Sequence, residues 1–346
     1  MSFKDFSSAG DIVDNQLSTI SEPLWSNSEG TLATFYTGSV QSSNSGKYYY
    51  DVHGTNDQTT EVEFAVSYGH RLGSGSEGGS VSGETNPTKG IYSQLRQVLL
   101  PAQTTQFNFH GDSGENFYSN DVFVITINRA RYREKVDPGN WELHLTSGSN
   151  TVKLIDDSGA SGNPTIGASK REFNIVSGSI ADGIHAEASA SAVATNSGSY
   201  GLFYPEMGMI VLNPNALCSG NGNVAAAKYV EEVGTSAASN DYNHRKLYNS
   251  VTAGSFFTAR REEQKRSSFY FCRVPSNEFN HSQNPSFSTG SNAQLVHNSF
   301  ITDPTTYITT VGLYNIHNEL LAVAKLSQPF KKDQNTEALI KVRLDY

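Results

Sequence analysis

Four pairs of carboxylates are the first places to look for chemistry: Glu61/Glu63, Asp156/Asp157, Glu231/Glu232 and Glu262/Glu263. Glycoside hydrolysis needs two such groups about 5–10 Å apart across a cleft. Glu61 and Glu63 fall on the polar side of an alternating segment, and Asp156 and Asp157 in a turn, so neither pair points to a cleft. Nine histidines are scattered at 53, 70, 110, 144, 185, 244, 281, 297 and 317. None has a second histidine three or four residues away, the spacing that would put two ligands on one helix face. The stretch Gly73-Ser74-Gly75-Ser76-Glu77-Gly78 has the form GxGxxG. A dinucleotide site also needs a helix to start at those glycines. Here the chain runs on through Gly79-Ser-Val-Ser-Gly-Glu-Thr-Asn-Pro87, so a mobile surface loop is expected. The sequence has no GxSxG elbow, phosphate-binding loop, HExxH or EF-hand loop.

Cys218 and Cys272 are too few and too far apart for a disulfide framework and do not form a CxxC. They read as buried or incidental thiols. No cofactor and no metal is expected.

The net charge is −9 and the pI about 5.5. Phosphate neutralisation needs a basic field, so nucleic acid is not the expected partner. Arg260, Arg261, Lys265 and Arg266 are interrupted by Glu262 and Glu263 and read as a solvated, self-paired segment. Only 17% of residues are charged, against about 25% in typical soluble domains. The polar surface must then come from Ser, Thr, Asn, Gln and Gly, as suits a protein packed against partners. The start, Met1-Ser-Phe-Lys-Asp-Phe, lacks a basic stretch followed by an apolar one, so no signal peptide is expected. No apolar run reaches the roughly 18 residues of a membrane span, and no membrane partner is expected.

The elements that must position any site are mostly strands. In Thr60–Tyr68, Val62, Phe64, Val66 and Tyr68 alternate with Glu61, Glu63, Ala65 and Ser67, the period of a half-buried strand. Asp121–Asn128 is nearly continuous and β-branched, as in a strand covered on both faces. Further strands are expected at Lys47–Val52, Thr105–Phe109, Trp141–Thr146, Thr151–Ile155, Glu172–Ser177, Gly201–Leu212 and Ser268–Val274. Asp137-Pro138-Gly139-Asn140 has the residues of a type II turn, and Asp156–Gly159 is a second turn. Helices are expected at Ile91–Leu100, stopped by Pro101, at Asn223–Val233 and at Tyr242–Ser250. Loops are expected at Gly38–Gly46, Gly73–Gly83, Ser158–Gly167 and Ala186–Gly198. The aromatic runs Tyr48–Tyr50 and Phe269–Phe271 read as sheet core, with a glycan platform or interface as the functional alternative.

The last eighty residues carry the most specific pattern. Phe279–Phe287 (FNHSQNPSF) is followed by Asp303–Asn315 (DPTTYITTVGLYN), Asn318–Ser327 (NELLAVAKLS) and Glu337–Tyr346 (EALIKVRLDY). Tyr307–Tyr314 and Leu320–Leu326 form two apolar strands about the polar connection Asn315–Asn318, as in a hairpin. Leu321, Val323 and Lys325 alternate with Leu320, Ala322, Ala324 and Leu326, so both faces are largely apolar. Ala338, Ile340, Val342 and Leu344 alternate with Leu339, Lys341, Arg343 and Asp345, an amphipathic strand that completes its own sheet or offers an edge to a partner. This block, with Glu61–Ser76 and Arg131–Leu145 upstream, resembles virion structural proteins of contractile-tailed phages, notably those of cyanobacteria and their relatives.

The resemblance implies a non-enzymatic tail or baseplate subunit, made in the host cytoplasm and kept in the virion tail. Its implied partners are other virion tail proteins, in an oligomeric arrangement. A neck or collar protein and a receptor- or glycan-binding module of the same particle are the alternatives. The candidate interface residues are Tyr307, Tyr314, Leu320, Val323, Leu326 and Tyr346. The expected fold is mainly β, sandwich-like or of mixed β domains, with a few short helices in an insertion. It divides into a β-rich domain at 1–214, a partly helical insertion at 215–265 and a C-terminal β segment at 266–346.

Overall fold

A computed structural model describes residues 4–6, 10–38, 49–57, 59–76, 87–109, 116–161, 165–167, 170–181, 199–218, 229–233, 241–290, 292 and 294–346. Of these, 47% are in strands and 16% in helices, with large antiparallel sheets, so the chain is mainly β. It forms two compact units: Ile20–Glu263, and Met1–Thr19 together with Gln264–Tyr346. The sequence reading divides the chain after 214 and 265. By contacts the division falls inside two long strands, Ile12–Pro23 and Phe257–Val274, and the first nineteen residues belong with the C-terminal ones.

The larger unit is built on an antiparallel sheet. Its strand order is Phe257–Val274, Lys135–Ser147, Asn150–Asp156, Lys170–Ser177, Gly201–Tyr204, Met209–Leu212, Asp121–Ile127, Phe64–His70, Tyr49–Val52. Alternation sends Phe64, Val66, Tyr68, Phe123, Ile125, Ile210, Leu212, Phe203, Leu154, Leu143 and Phe257 into one core. The sheet curls until distant strands touch. Ring centroids of Phe257 and Phe64 lie 5.4 Å apart, and Trp25 sits 4.8 Å from the first and 6.0 Å from the second. The Trp25 indole N–H donates to the Phe257 carbonyl at 3.0 Å, which satisfies a polar group that burial would otherwise penalise. Helix Asn243–Gly254 adds Leu247 and Val251 to the same core. Its last residue must be glycine, because a Cβ there would overlap the His144 carbonyl.

The strand expected to be covered on both faces is so. Phe123 and Ile125 face the core, while Val122 and Val124 pack with Tyr92, Leu95 and Leu99 of helix Pro87–Leu99. The helices expected at Ile91–Leu100 and Tyr242–Ser250 are present as Pro87–Leu99 and Asn243–Gly254.

Other expectations are corrected. Gly201–Leu212 is two strands, because Pro205 starts a 3-10 turn and Gly208 at φ 60° reverses the chain. Asp137–Asn140 keeps its turn chemistry but lies within one strand, looped out of the ladder between Val136↔Arg261 and Trp141↔Ala259. It is held there by bonds to Asp137 from Ser21 Oγ (2.6 Å) and Asn140 Nδ2 (2.9 Å) and by Gly139 N–H to Asp156 Oδ2 (2.8 Å). The basic stretch is part of the long strand, where neighbours point to opposite faces and cannot pair with each other. Arg261 pairs instead with Glu22, Glu262 with Lys135 and Glu263 with Arg133. Of the expected helix Asn223–Val233, residues 223–228 lie outside the described residues. Tyr229–Val233 is not helical, and Val230 bridges to Cys218. Gly38–Gly46 beyond its first residue, Ala186–Gly198, Lys47 and Tyr48 also lie outside the described residues.

In the second unit, the end of Phe257–Val274 pairs antiparallel with Ala338–Asp345, from Ser267↔Asp345 to Val274↔Ala338. It also pairs with Ile12–Pro23, where Phe271 N–H donates to Asp11 O at 2.8 Å. The terminal alternation is realised: Ala338, Ile340 and Leu344 are half-buried and Val342 buried, while Leu339, Lys341, Arg343 and Asp345 are exposed. Lys341 Nζ lies 3.9 Å from the Phe269 ring centroid, a cation–π contact across the ladder.

Both tryptophans, Trp25 and Trp141, are buried in the larger unit, so their fluorescence reports on it alone. Phe257→Ala is expected to cost about 3–5 kcal/mol in urea unfolding followed this way. Gly254→Ala is expected to cost about 1–3 kcal/mol by overpacking.

Candidate functional site

The two strands Thr306–Tyr314 and Leu320–Lys332 form a hairpin in a sheet of their own. The register runs Thr310↔Lys325, Val311↔Ala324, Gly312↔Val323 and Leu313↔Ala322, then shifts so that Tyr314 faces Leu320. This shift is a bulge at Leu321, and it changes the expected faces. Leu320 lies with Val323, Gly312 and Tyr314, not with Ala322 and Ala324. A Cβ on Gly312 would meet the Tyr314 ring at 2.9 Å and Leu320 Cδ1 at 3.3 Å. Leu313 is buried, and Ala322, Ala324 and Leu326 are half-buried. The other face is open, with Leu320, Leu321 and Val323 exposed by 52%, 67% and 60%.

An isolated two-stranded hairpin is marginally stable in water. This one is fastened at its base. The Lys332 ammonium, fully buried, donates to Ser276 O (2.9 Å), Asn280 Oδ1 (2.7 Å) and Asp333 O (2.6 Å). All three of its protons are used. Thr306 Oγ1 donates to Phe279 O at 2.9 Å.

The six candidate residues are not all together. Tyr307, Leu320 and Val323 are exposed on the hairpin, and Tyr314 and Leu326 are half-buried there. Tyr346 is on the terminal sheet, exposed, its hydroxyl donating to Asp14 Oδ1 at 3.1 Å. The sequence reading missed Ile316, which it counted within a polar connection. At the hairpin tip Ile316 is 93% exposed. A β-branched apolar residue in a four-residue turn was the available signal.

The residues able to do chemistry are mostly built into the framework. Glu63, expected on a polar face, is buried. It accepts hydrogen bonds from the Ser26 hydroxyl and, at 3.3 Å, from the Ser26 N–H, and burial raises its pKa. Arg131 pairs with Glu61 and lies 3.8 Å from Glu63. Buried Asp121 accepts from Tyr68 OH and Ser119 Oγ, each at 3.0 Å, and burial raises its pKa. His70 is near it, with its pKa lowered by burial. The two cysteines are unbonded to each other, and burial pushes the Cys272 thiol up. Among the described residues no three His, Cys, Asp or Glu side chains are grouped to hold a metal ion.

The Gly73 loop is not the surface loop expected. Gly73 to Ser76 are buried, and Gly73 and Gly75 have φ of 77° and 81°. The carbonyls of Gly75 and Ser76 accept from Asn243 N–H (3.0 Å) and Tyr242 N–H (3.3 Å), so the loop caps helix Asn243–Gly254. Residues 77–86 lie outside the described ones. A cleft of about 510 Å³ opens on the outer face of the larger sheet, lined in part by Val62, Ala65, Thr126, Tyr132, Met207 and Met209.

Asp121 binds its proton more tightly in the fold than in the unfolded chain. Its stabilising contribution is therefore complete below the ordinary value of 3.8 and lost as pH rises through its raised folded value. Asp121→Asn removes this loss. In chemical unfolding between pH 4 and 8, wild-type stability should fall with pH relative to the variant, and parallel curves would count against the assignment. Comparison with protein-family models, curated proteins and solved structures returns no match.

Proposed function

We propose that the chain is a structural subunit of a contractile phage tail, in the baseplate region, acting through assembly with other virion tail proteins and not through catalysis. The observation that carries this reading is the fastened hairpin with Leu320, Leu321, Val323, Tyr307 and Ile316 open to solvent. Grouped apolar exposure of this kind marks interaction surfaces, whereas single exposed apolar residues do not. The hairpin also lies within the block that resembles virion structural proteins. Neutral polar residues over the remaining surface suit a subunit enclosed by neighbours.

The reading is tested on particles. Mass spectrometry of purified virions should find the protein, and its absence would sink the proposal. The paired change Leu321→Ser with Val323→Ser should alter stability by no more than about 0.5 kcal/mol per site, as for exposed positions. It should nevertheless strongly reduce incorporation into particles, and normal incorporation would count against the hairpin as the contact.

A further inference from the structure

Strand Phe64–His70 runs into a turn that its own last side chain holds closed. The Leu72 N–H donates to His70 Nδ1 at 3.1 Å, and the Gly73 N–H donates to the His70 carbonyl at 3.0 Å. A neutral imidazole has one donor and one acceptor nitrogen, and in the charged ring both are donors. The Leu72 bond therefore fixes the tautomer, with Nδ1 bare and the proton on Nε2. A second proton can enter only at Nδ1, where it meets the Leu72 N–H. The charged ring cannot keep this bond.

The turn leads into the buried segment 73–76. The far side of that segment is held by Thr88 Oγ1 donating to Ser74 O (2.8 Å), Asn243 N–H to Gly75 O (3.0 Å) and Tyr242 N–H to Ser76 O (3.3 Å). Thr88 lies in the first turn of helix Pro87–Leu99, and Tyr242 and Asn243 start helix Asn243–Gly254. The segment thus joins the starts of two helices, and the His70 turn anchors its near side. Leu72 is 58% exposed, so apolar burial adds little to hold the turn.

The surroundings of His70 set the pH range. Asp121 lies opposite it in the ladder, and its charge favours the protonated ring. Arg71, next in the chain, reaches Asn120 Oδ1 at 3.4 Å. Tyr68 lies two residues back, and Tyr92 of helix Pro87–Leu99 packs against Gly69. Both hydroxyls are engaged, with Asp121 Oδ2 at 3.0 Å and Ser119 O at 2.8 Å. Burial outweighs the Asp121 charge and lowers the His70 pKa from its ordinary 6.5. The neutral, bonded form is complete above that value and lost as pH falls through the lowered one.

We propose that His70 is an acid-sensitive latch: a proton on Nδ1 breaks the Leu72 bond, and the loosened turn frees segment 73–76 from the starts of both helices. The latch is independent of the assembly role proposed above.

Hydrogen exchange of the full chain tests it, read by mass spectrometry on peptides spanning 70–76 and 242–246 at pH 8 and pH 5 and corrected for intrinsic rates. In wild type both peptides should exchange at least about tenfold faster at pH 5, the scale of one lost hydrogen bond. His70→Asn keeps an acceptor within reach of the Leu72 N–H, as in an Asx turn, but does not titrate. It should protect both peptides equally at the two pH values. His70→Ala removes the acceptor and should exchange fast at both. Should His70→Ala fail to fold, the imidazole nitrogen shifts of wild type give a second reading, with Nδ1 bare at pH 8 and both nitrogens protonated at pH 5. Equal wild-type exchange at both pH values, a pH dependence that survives in His70→Asn, or Nδ1 carrying the proton at pH 8 would each overturn the latch. So would a change in 70–76 with none in 242–246, because the segment would then stay on its helix.

Discussion

The curled sheet of the larger unit depends on one aromatic contact. Phe257 and Phe64 belong to strands far apart in the sheet order, and Trp25 fills the angle between them. Sheets twist with a fixed hand, and twist brings distant strands together only if something apolar waits where they meet. These rings supply it, and the Trp25 N–H bond to the Phe257 carbonyl sets the depth. Once the sheet has curled, its inner face is a closed core. The outer face then needs its own cover, which helix Pro87–Leu99 provides over part of it.

The second unit solves a different problem. Its hairpin is too small to hold itself, and a buried lysine with three oxygen acceptors ties its base to the Ser276–Asn280 segment. Burying an ammonium is expensive unless every proton finds a partner. Lys332 meets that condition through two backbone carbonyls and a side-chain amide. The hairpin can therefore hold apolar side chains in water without a covering layer. An arm fixed at its root with an open apolar face fits the assembly role proposed above.

Titratable groups tell a consistent story. Glu63 is buried and holds the Ser26 hydroxyl, from a segment outside its own ladder. Asp121 and Asp156 are buried and bound to Tyr68 OH and to Gly139 N–H, reinforcing strands that the ladder already pairs. Asp137 pins a looped-out turn in the same way. The carboxylates that opened the search for chemistry turn out to be positioned by the fold and to position it.

Alternation along the chain tells which residues of Phe64–His70 face inward and which of Ala338–Asp345 face outward, because side chains on a strand change sides at every residue whatever the context, and the unbroken β-branched run at Asp121–Ile127 tells of a strand covered on both faces. The hairpin was legible for the same reason, with its apolar strands and polar connection. Helix Pro87–Leu99 was legible from apolar spacing and a proline stop. What sequence could not give was anything set by a neighbour distant in the chain. Pro205 could be read as an interruption, but whether Asp137–Asn140 ended a strand or bulged from it depended on Ser21 and Asp156. The bulge at Leu321 moved Leu320 to the other face, and only the pairing register decides that. Glu63 looked solvent-facing because its period was right, and Ser26 and Arg131 came from elsewhere to bury it. Local pattern determined the elements, and long-range packing decided which of their side chains stayed exposed.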